Sequence, residues 1–245
     1  MTKPYKQNLE ISKVWRYLPL IPASGKLQMA IDRWLLHQCQ HQQHPPTLRF
    51  YTWHPAAISL GYHQKRYPEQ WQQFAAQETL DLVRRPTGGR AVLHQGDLTY
   101  AVVWSGISGK RLAVYEAICE FLISGWKNLG IPLFYGHQGR GYREVANCFQ
   151  MATGADLVTA QGEKLIGSAQ LRRGETVLQH GSMQLHPDPE LFQAVFNQTP
   201  RVIPFQVTQE EIIAHLKLAA QRSFQMQLVT QPLTSQEWDQ IRAFI

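Results

Sequence analysis

The sequence predicts an α+β fold, a mainly antiparallel sheet flanked by helices, and three observations predict it. Short β-branched and aromatic runs fall in blocks rather than in strict alternation with helices. Two long stretches, Gly25–Gln43 and Leu112–Leu129, carry apolar residues at helical spacing. The tail holds two helix-start signatures, Thr208-Gln209-Glu210-Glu211 and Thr234-Ser235-Gln236-Glu237, each with a hydroxyl first and a carboxylate three positions on.

Taken in order, Leu27, Ala30, Ile31, Trp34 and Leu35 mark one face of the first helix, which Pro45-Pro46 stops. Thr47–Trp53, Ala57–Tyr62, Leu80–Arg85 and Leu98–Trp104 read as strands. Tyr115, Ile118, Leu122, Trp126 and Leu129 share a face of the long second helix. Beyond Pro132, Ala155–Ala160 and Lys164–Leu171 read as strands joined by a Gln161-Gly162-Glu163 turn, followed by a strand over Glu175–Leu185. The chain is expected to form a single domain over 1–245, with a core over about 29–217 and a helical tail over about 208–245.

Composition narrows the function classes. Of 245 residues, 44% are hydrophobic and 17% charged, a globular balance. Pro4, Glu10 and Pro19 break any apolar run near the start, and no stretch approaches the roughly 20 apolar residues of a membrane span. A cytoplasmic protein with no membrane association is the expectation. The three cysteines, Cys39, Cys119 and Cys148, have no CxxC spacing and are expected as thiols. The net charge of +6 favours an acidic partner. Its basic residues are scattered, which argues for a protein partner rather than nucleic acid. His37, His41 and His44 imitate a metal cluster, but they sit at a helix C-terminus, where cationic side chains suit the dipole. No metal is expected.

The most informative run is Arg84-Arg85-Pro86-Thr87-Gly88-Gly89-Arg90-Ala91-Val92-Leu93-His94. Paired glycines let backbone approach a ligand where a Cβ would clash, and flanking arginines would hold negative charge nearby. The run fits neither a Walker loop nor GxGxxG. It resembles the RRxxGGxAVxH signature of the catalytic domain shared by lipoate-protein ligases, biotin-protein ligases and octanoyltransferases. Further matches follow in the family's order: Met29-Ala30-Ile31-Asp32, Leu48–Trp53 with Ser59-Leu60-Gly61-Tyr62, and Asp97-Leu98-Thr99-Tyr100. Lys164-Leu165-Ile166-Gly167-Ser168-Ala169-Gln170 resembles its KxxGSAQ element, and Gln179-His180-Gly181-Ser182 its QHGS strand.

Within that family, Asn147-Cys148-Phe149 resembles the ACF element of the octanoyltransferase branch related to lipoate ligases. The resemblance implies Cys148 as a thioester-forming nucleophile and Lys164 as the cation that stabilises its thiolate and polarises the acyl carbonyl. It implies substrate binding by Arg85, Thr87, Gly88, Gly89, Arg90, Ala91 and His94 of the glycine run. Gly167, Ser168 and Ala169 join them from one strand element, with His180 and Gly181 from the other. His94 and His180 are read as positioning residues, Ser168 as a hydrogen-bond donor near the acyl group, and Cys39 and Cys119 as structural. Asn147 departs from the family's alanine and Arg33 from its acidic residue.

The implied reaction moves octanoate from octanoyl-acyl carrier protein through Cys148 to a lysine of a lipoyl domain or glycine-cleavage H-type carrier protein, with no cofactor. Two alternatives stay open. One is a lipoate-protein ligase, which would need ATP and magnesium; the other is a carrier-binding module without catalysis.

Overall fold

The computed structural model describes residues 14–136, 156–201, 203–204 and 206–245. The described residues open on β1 (Val14–Ala23), a strand that the apolar pattern of the sequence does not announce, and turn into α1 (Gly25–Gln40). Ser24 caps that helix by accepting from the Leu27 N–H at 3.4 Å. The helix ends at His41, ahead of the prolines, where Gln42 takes a left-handed φ of 57°.

There follow β2 (Thr47–Trp53), β3 (Ala57–Leu60), α2 (Glu69–Ala76), β4 (Asp81–Arg84), β5 (Val92–His94), β6 (Asp97–Ser105) and α3 (Arg111–Asn128). The two short strands β7 (Phe134–Tyr135) and β8 (Leu157–Val158) lead to β9 (Lys164–Arg173) and β10 (Thr176–Gln184). Then come α4 (Pro189–Phe196), α5 (Gln209–Ser223), β11 (Gln227–Thr230) and α6 (Ser235–Arg242). Thr208 and Thr234 each form the full reciprocal cap, and β11 lies between the two helices they start.

Among the described residues, eight strands form one sheet in the order β11-β1-β2-β6-β10-β9-β8-β7. The pairings of β1 with β11 and with β2 are parallel, and the rest are antiparallel. A smaller sheet, β4-β3-β5, stands apart. Period-two alternation along β6 assigns its faces: Leu98, Tyr100 and Val102 enter the core under α3 and α5, while Ala101 and Val103 enter the core under α1. Each such side chain removed from water contributes about 1.5–3 kcal/mol. Together they fix the register, because a slip by one residue would exchange the two faces. Among the described residues, no helix is long and apolar enough to cross a membrane.

Arg33, the departure from the family pattern, donates to the Arg84 carbonyl at 2.9 Å and the Phe244 carbonyl at 3.3 Å, tying α1 to the end of β4 and to the last turn of the chain. The rings of His37 and His41 lie 4.2 Å apart at a tilt on the surface, and His44 packs edge-on against Trp34. Among the described residues no group of three potential metal ligands occurs.

Candidate active site

Two strand motifs lie side by side. In the β9–β10 pairing Gly167 faces Ser182, Ser168 faces Gly181 and Ala169 faces His180, so the KxxGSAQ and QHGS elements form one patch of sheet. A side chain at Gly181 would meet the Gly167 carbonyl oxygen and Tyr100 Cε1, both at 2.7 Å, as well as Ser168 Oγ. The glycine therefore lets three strands close here.

The glycine run covers this patch from the other sheet. Gly89 takes a φ of +94°, which a side chain would strain. Arg85 is buried and holds the turn from inside. Its guanidinium donates to the carbonyls of Ser59 at 2.7 Å, Gly88 at 2.8 Å and Arg90 at 2.6 Å. Burial presses that group down to about 10. Arg84 likewise donates to the carbonyls of Gly61 at 2.7 Å and Gln64 at 2.8 Å. These two arginines organise backbone, whereas the sequence alone suggests that they hold a ligand's negative charge.

Both predicted histidines sit in carboxylate–imidazole–hydroxyl relays. His94 Nδ1 donates to Asp97 Oδ2 at 2.8 Å, and its Nε2 accepts from the Ser59 hydroxyl at 2.8 Å. Asp97 also accepts from Ser182 at 2.6 Å and Thr99 at 3.1 Å. Trp53 stacks on His94 at 3.8 Å. Burial holds the His94 imidazole below its usual range, against the opposing pull of Asp97. His180 Nδ1 donates to Asp32 Oδ2 at 2.8 Å, and its Nε2 accepts from the Thr87 hydroxyl at 2.6 Å. Asp32 is fully buried on α1, where Tyr51 donates to it at 3.1 Å and Arg49 pairs with it at 3.3 Å. Removing one partner of so buried a pair costs about 3–5 kcal/mol. The relays fix both ring orientations, which suits a positioning role.

Lys164 reaches back over Gly167 to Asp156, with Nζ 3.0 Å from Oδ1. Ser168 accepts from the Tyr100 hydroxyl at 2.9 Å, and Tyr100 in turn accepts from Gln179 at 3.1 Å.

A cavity of about 250 Å³ joins these parts, close to the small end of small-molecule sites, about 300–1,000 Å³. Of the predicted residues, Arg85, Gly89, Arg90, Ala91 and His94 line it from the glycine run, and Lys164, Gly167, Ser168, Ala169, His180 and Gly181 from the paired strands. Thr87 and Gly88 are not among its walls; Thr87 reaches the site through His180. Cys148 and Asn147 lie outside the described residues. Cys39 and Cys119 are buried, and burial pushes their thiols up to about 11 and about 12.

Met29, Tyr51, Trp53, Ser59, Thr99 and Ser182 also line the cavity, residues that the motif matches contain but that the sequence does not single out, and Asp156 lies outside every motif. Asp32 ends the Met29-Ala30-Ile31-Asp32 match, but its burial against His180 shows only in the structure.

The cavity is roofed by the glycine turn and floored by the KxxGSAQ and QHGS strands, so the motifs of one catalytic-domain family meet at a single place. The chain belongs to the lipoyl protein ligase A/B catalytic domain family, whose model matches residues 24–236. It is 41% identical over 180 residues to octanoyltransferase LipM of Carboxydothermus hydrogenoformans, covering 72% of this chain and 66% of that one. With octanoyltransferase LipM of Kyrpidia tusciae the identity is 37% over 193 residues, covering 75% and 70%. The matched stretch thus spans about two thirds of these relatives' own length. Among solved structures, protein Ta0514 of T. acidophilum with bound lipoic acid superposes with a TM-score of 0.78 at 22% identity, covering 94% of this chain and 93% of that one. Lipoate-protein ligase A bound with ATP gives 0.75 at 22%, with the same coverage. At that identity these structures show a shared fold.

Proposed function

We propose that this chain is an octanoyltransferase of lipoate assembly, which carries octanoate on Cys148 and delivers it to the lysine of a lipoyl-domain carrier. The observation that carries the reading is the identity of 41% and 37% to octanoyltransferases over about three quarters of the chain. The donor in this reading is octanoyl-acyl carrier protein.

In the first half-step the Cys148 thiolate attacks the donor thioester carbonyl. A new C–S bond forms, the old one breaks, and the carrier leaves as a thiolate that takes up a proton. In the second, the neutral amine of the acceptor lysine attacks the Cys148 thioester. An amide forms, the C–S bond breaks, the amine loses its proton and the Cys148 thiolate returns. Both steps draw on the thioester, so the reaction calls for no ATP.

Lys164 supplies positive charge beside the acyl carbonyl and the thiolate. Gly89, Arg90 and Ala91 border the acyl group from the turn, and Gly167, Ser168, Ala169 and Gly181 from the sheet. Arg85, Thr87 and Gly88 act by shaping the turn, and His94 and His180 by orienting it. What supports these assignments is that the turn and the two strands meet at one cavity.

The deciding experiment mixes the protein with octanoyl-acyl carrier protein without ATP and weighs the intact chain. The expected result is an octanoyl adduct lost on adding a lipoyl domain. Acylation that appears only with free acid and ATP would replace this reading with a ligase.

A further inference from the structure

Against the glycine turn that lines the cavity runs a short surface loop with two cationic side chains, ahead of Glu69 at the start of α2. From Gly61 to Pro68 the chain reads Gly-Tyr-His-Gln-Lys-Arg-Tyr-Pro, with no acidic residue. His63, Lys65 and Arg66 are exposed, and Tyr62 is 58% exposed with His63 edge-on to its ring.

The loop is anchored to the cavity rim. The Tyr62 N–H donates to the Thr87 carbonyl at 2.8 Å, and Gly61 abuts the carbonyl of Gly89, which lines the cavity with Arg90. Arg84 holds the carbonyls of Gly61, Tyr62 and Gln64 from behind. At the far end Tyr67 stacks on Trp71. A loop held at both ends and along its backbone loses little freedom on binding.

Resting on the octanoyl-transfer reading, we propose that this loop is the docking surface for the donor, an acidic carrier protein presenting its acyl thioester on a phosphodiester-linked arm. Charge selects the donor over the acceptor. The arm and the carrier surface are both anionic, and a cationic rim draws them in. The acceptor offers a lysine side chain and no phosphodiester for the rim to hold. Tyr62 adds an exposed ring of the kind that anchors protein interfaces at low entropy cost.

The test compares wild type with Lys65→Glu/Arg66→Glu, using octanoyl-acyl carrier protein and octanoyl-pantetheine as donors. Melting temperatures establish that both proteins are folded. The expected result is a KM for the carrier-linked donor raised by about tenfold, with its salt dependence flattened, and unchanged turnover of octanoyl-pantetheine. An unchanged KM for the carrier-linked donor, or a rise only for the acceptor, overturns the docking surface. Failure of the wild type with both donors would instead remove the octanoyl-transfer reading itself.

Discussion

Gly61 and Gly89 meet backbone to backbone, so closely that a Cβ on Gly61 would overlap the Gly89 carbonyl oxygen. Gly88, between the same walls, has open space around it: a Cβ added there would meet nothing within 4 Å. Three alanine variants should therefore separate. Gly61→Ala and Gly89→Ala should lower the melting temperature, the second by strain of about 1–3 kcal/mol at its positive φ. Gly88→Ala should melt with the wild type. If it also keeps full turnover, Gly88 belongs to a turn and contacts no substrate.

The buried Cys39 and Cys119, with thiols pushed up to about 11 and about 12, should resist alkylation in the native protein at mildly alkaline pH. Peptide mapping after iodoacetamide should find Cys148 modified first and the other two only after unfolding. Cys148→Ser should abolish transfer, while Cys39→Ser should retain most of it. Transfer that survives in Cys148→Ser would end the thioester mechanism.

Lys164 and Asp156, 3.0 Å apart, form the charged side of the cavity. Removing the cation in Lys164→Ala should move the alkylation profile of Cys148 to higher pH, each unit representing about 1.4 kcal/mol of lost thiolate stabilisation. Asp156→Asn keeps the cation but releases its tether, so turnover should fall while the profile stays near that of the wild type. A profile unmoved in Lys164→Ala would assign thiol activation to another group.

The Arg16–Glu237 pair predicts a pH dependence of stability. Burial alone would raise the Glu237 carboxyl, but hydrogen bonds from Arg16 and the Thr234 N–H, with the Arg16 charge, hold it down to about 2. Because the folded value lies below the usual 4.5, the stabilisation is in place above that range and is lost as pH falls toward about 2. Glu237→Gln should thus melt below the wild type near neutrality, by an amount equivalent to about 1–3 kcal/mol. The two melting curves should converge in acid. A gap that stays constant across the titration would mean the charge is irrelevant.

Regular elements are legible in the sequence where the hydrophobic period is unbroken, as in α3, β6 and β10. Lys164, His180 and the glycine run can be found because their motifs are continuous along the chain. Their neighbours cannot, because cross-strand register decides them: nothing local says that Gly181 faces Ser168, or that Asp97 gathers His94, Thr99 and Ser182. Strand β1 escapes notice for a related reason. Arg16 interrupts its apolar pattern, and that buried charge makes sense only with Glu237, 221 positions away. For Arg84 and Arg85 the sequence shows a charge but not which carbonyls surround it.

The placement of β1 between β2 and β11 has a consequence for the order of synthesis. The antiparallel partners of β2, β6, β10 and β9 are all encoded ahead of the tail, whereas the outer edge of β1 waits for Gln227–Thr230. Until then the nascent chain carries an open strand edge, a template for pairing with another molecule. It also carries an arginine whose carboxylate has not yet been made. A message broken before the codon for Gln227 would yield a chain with every lining residue of the cavity encoded and β1 unshielded along one edge, a product inclined to aggregate.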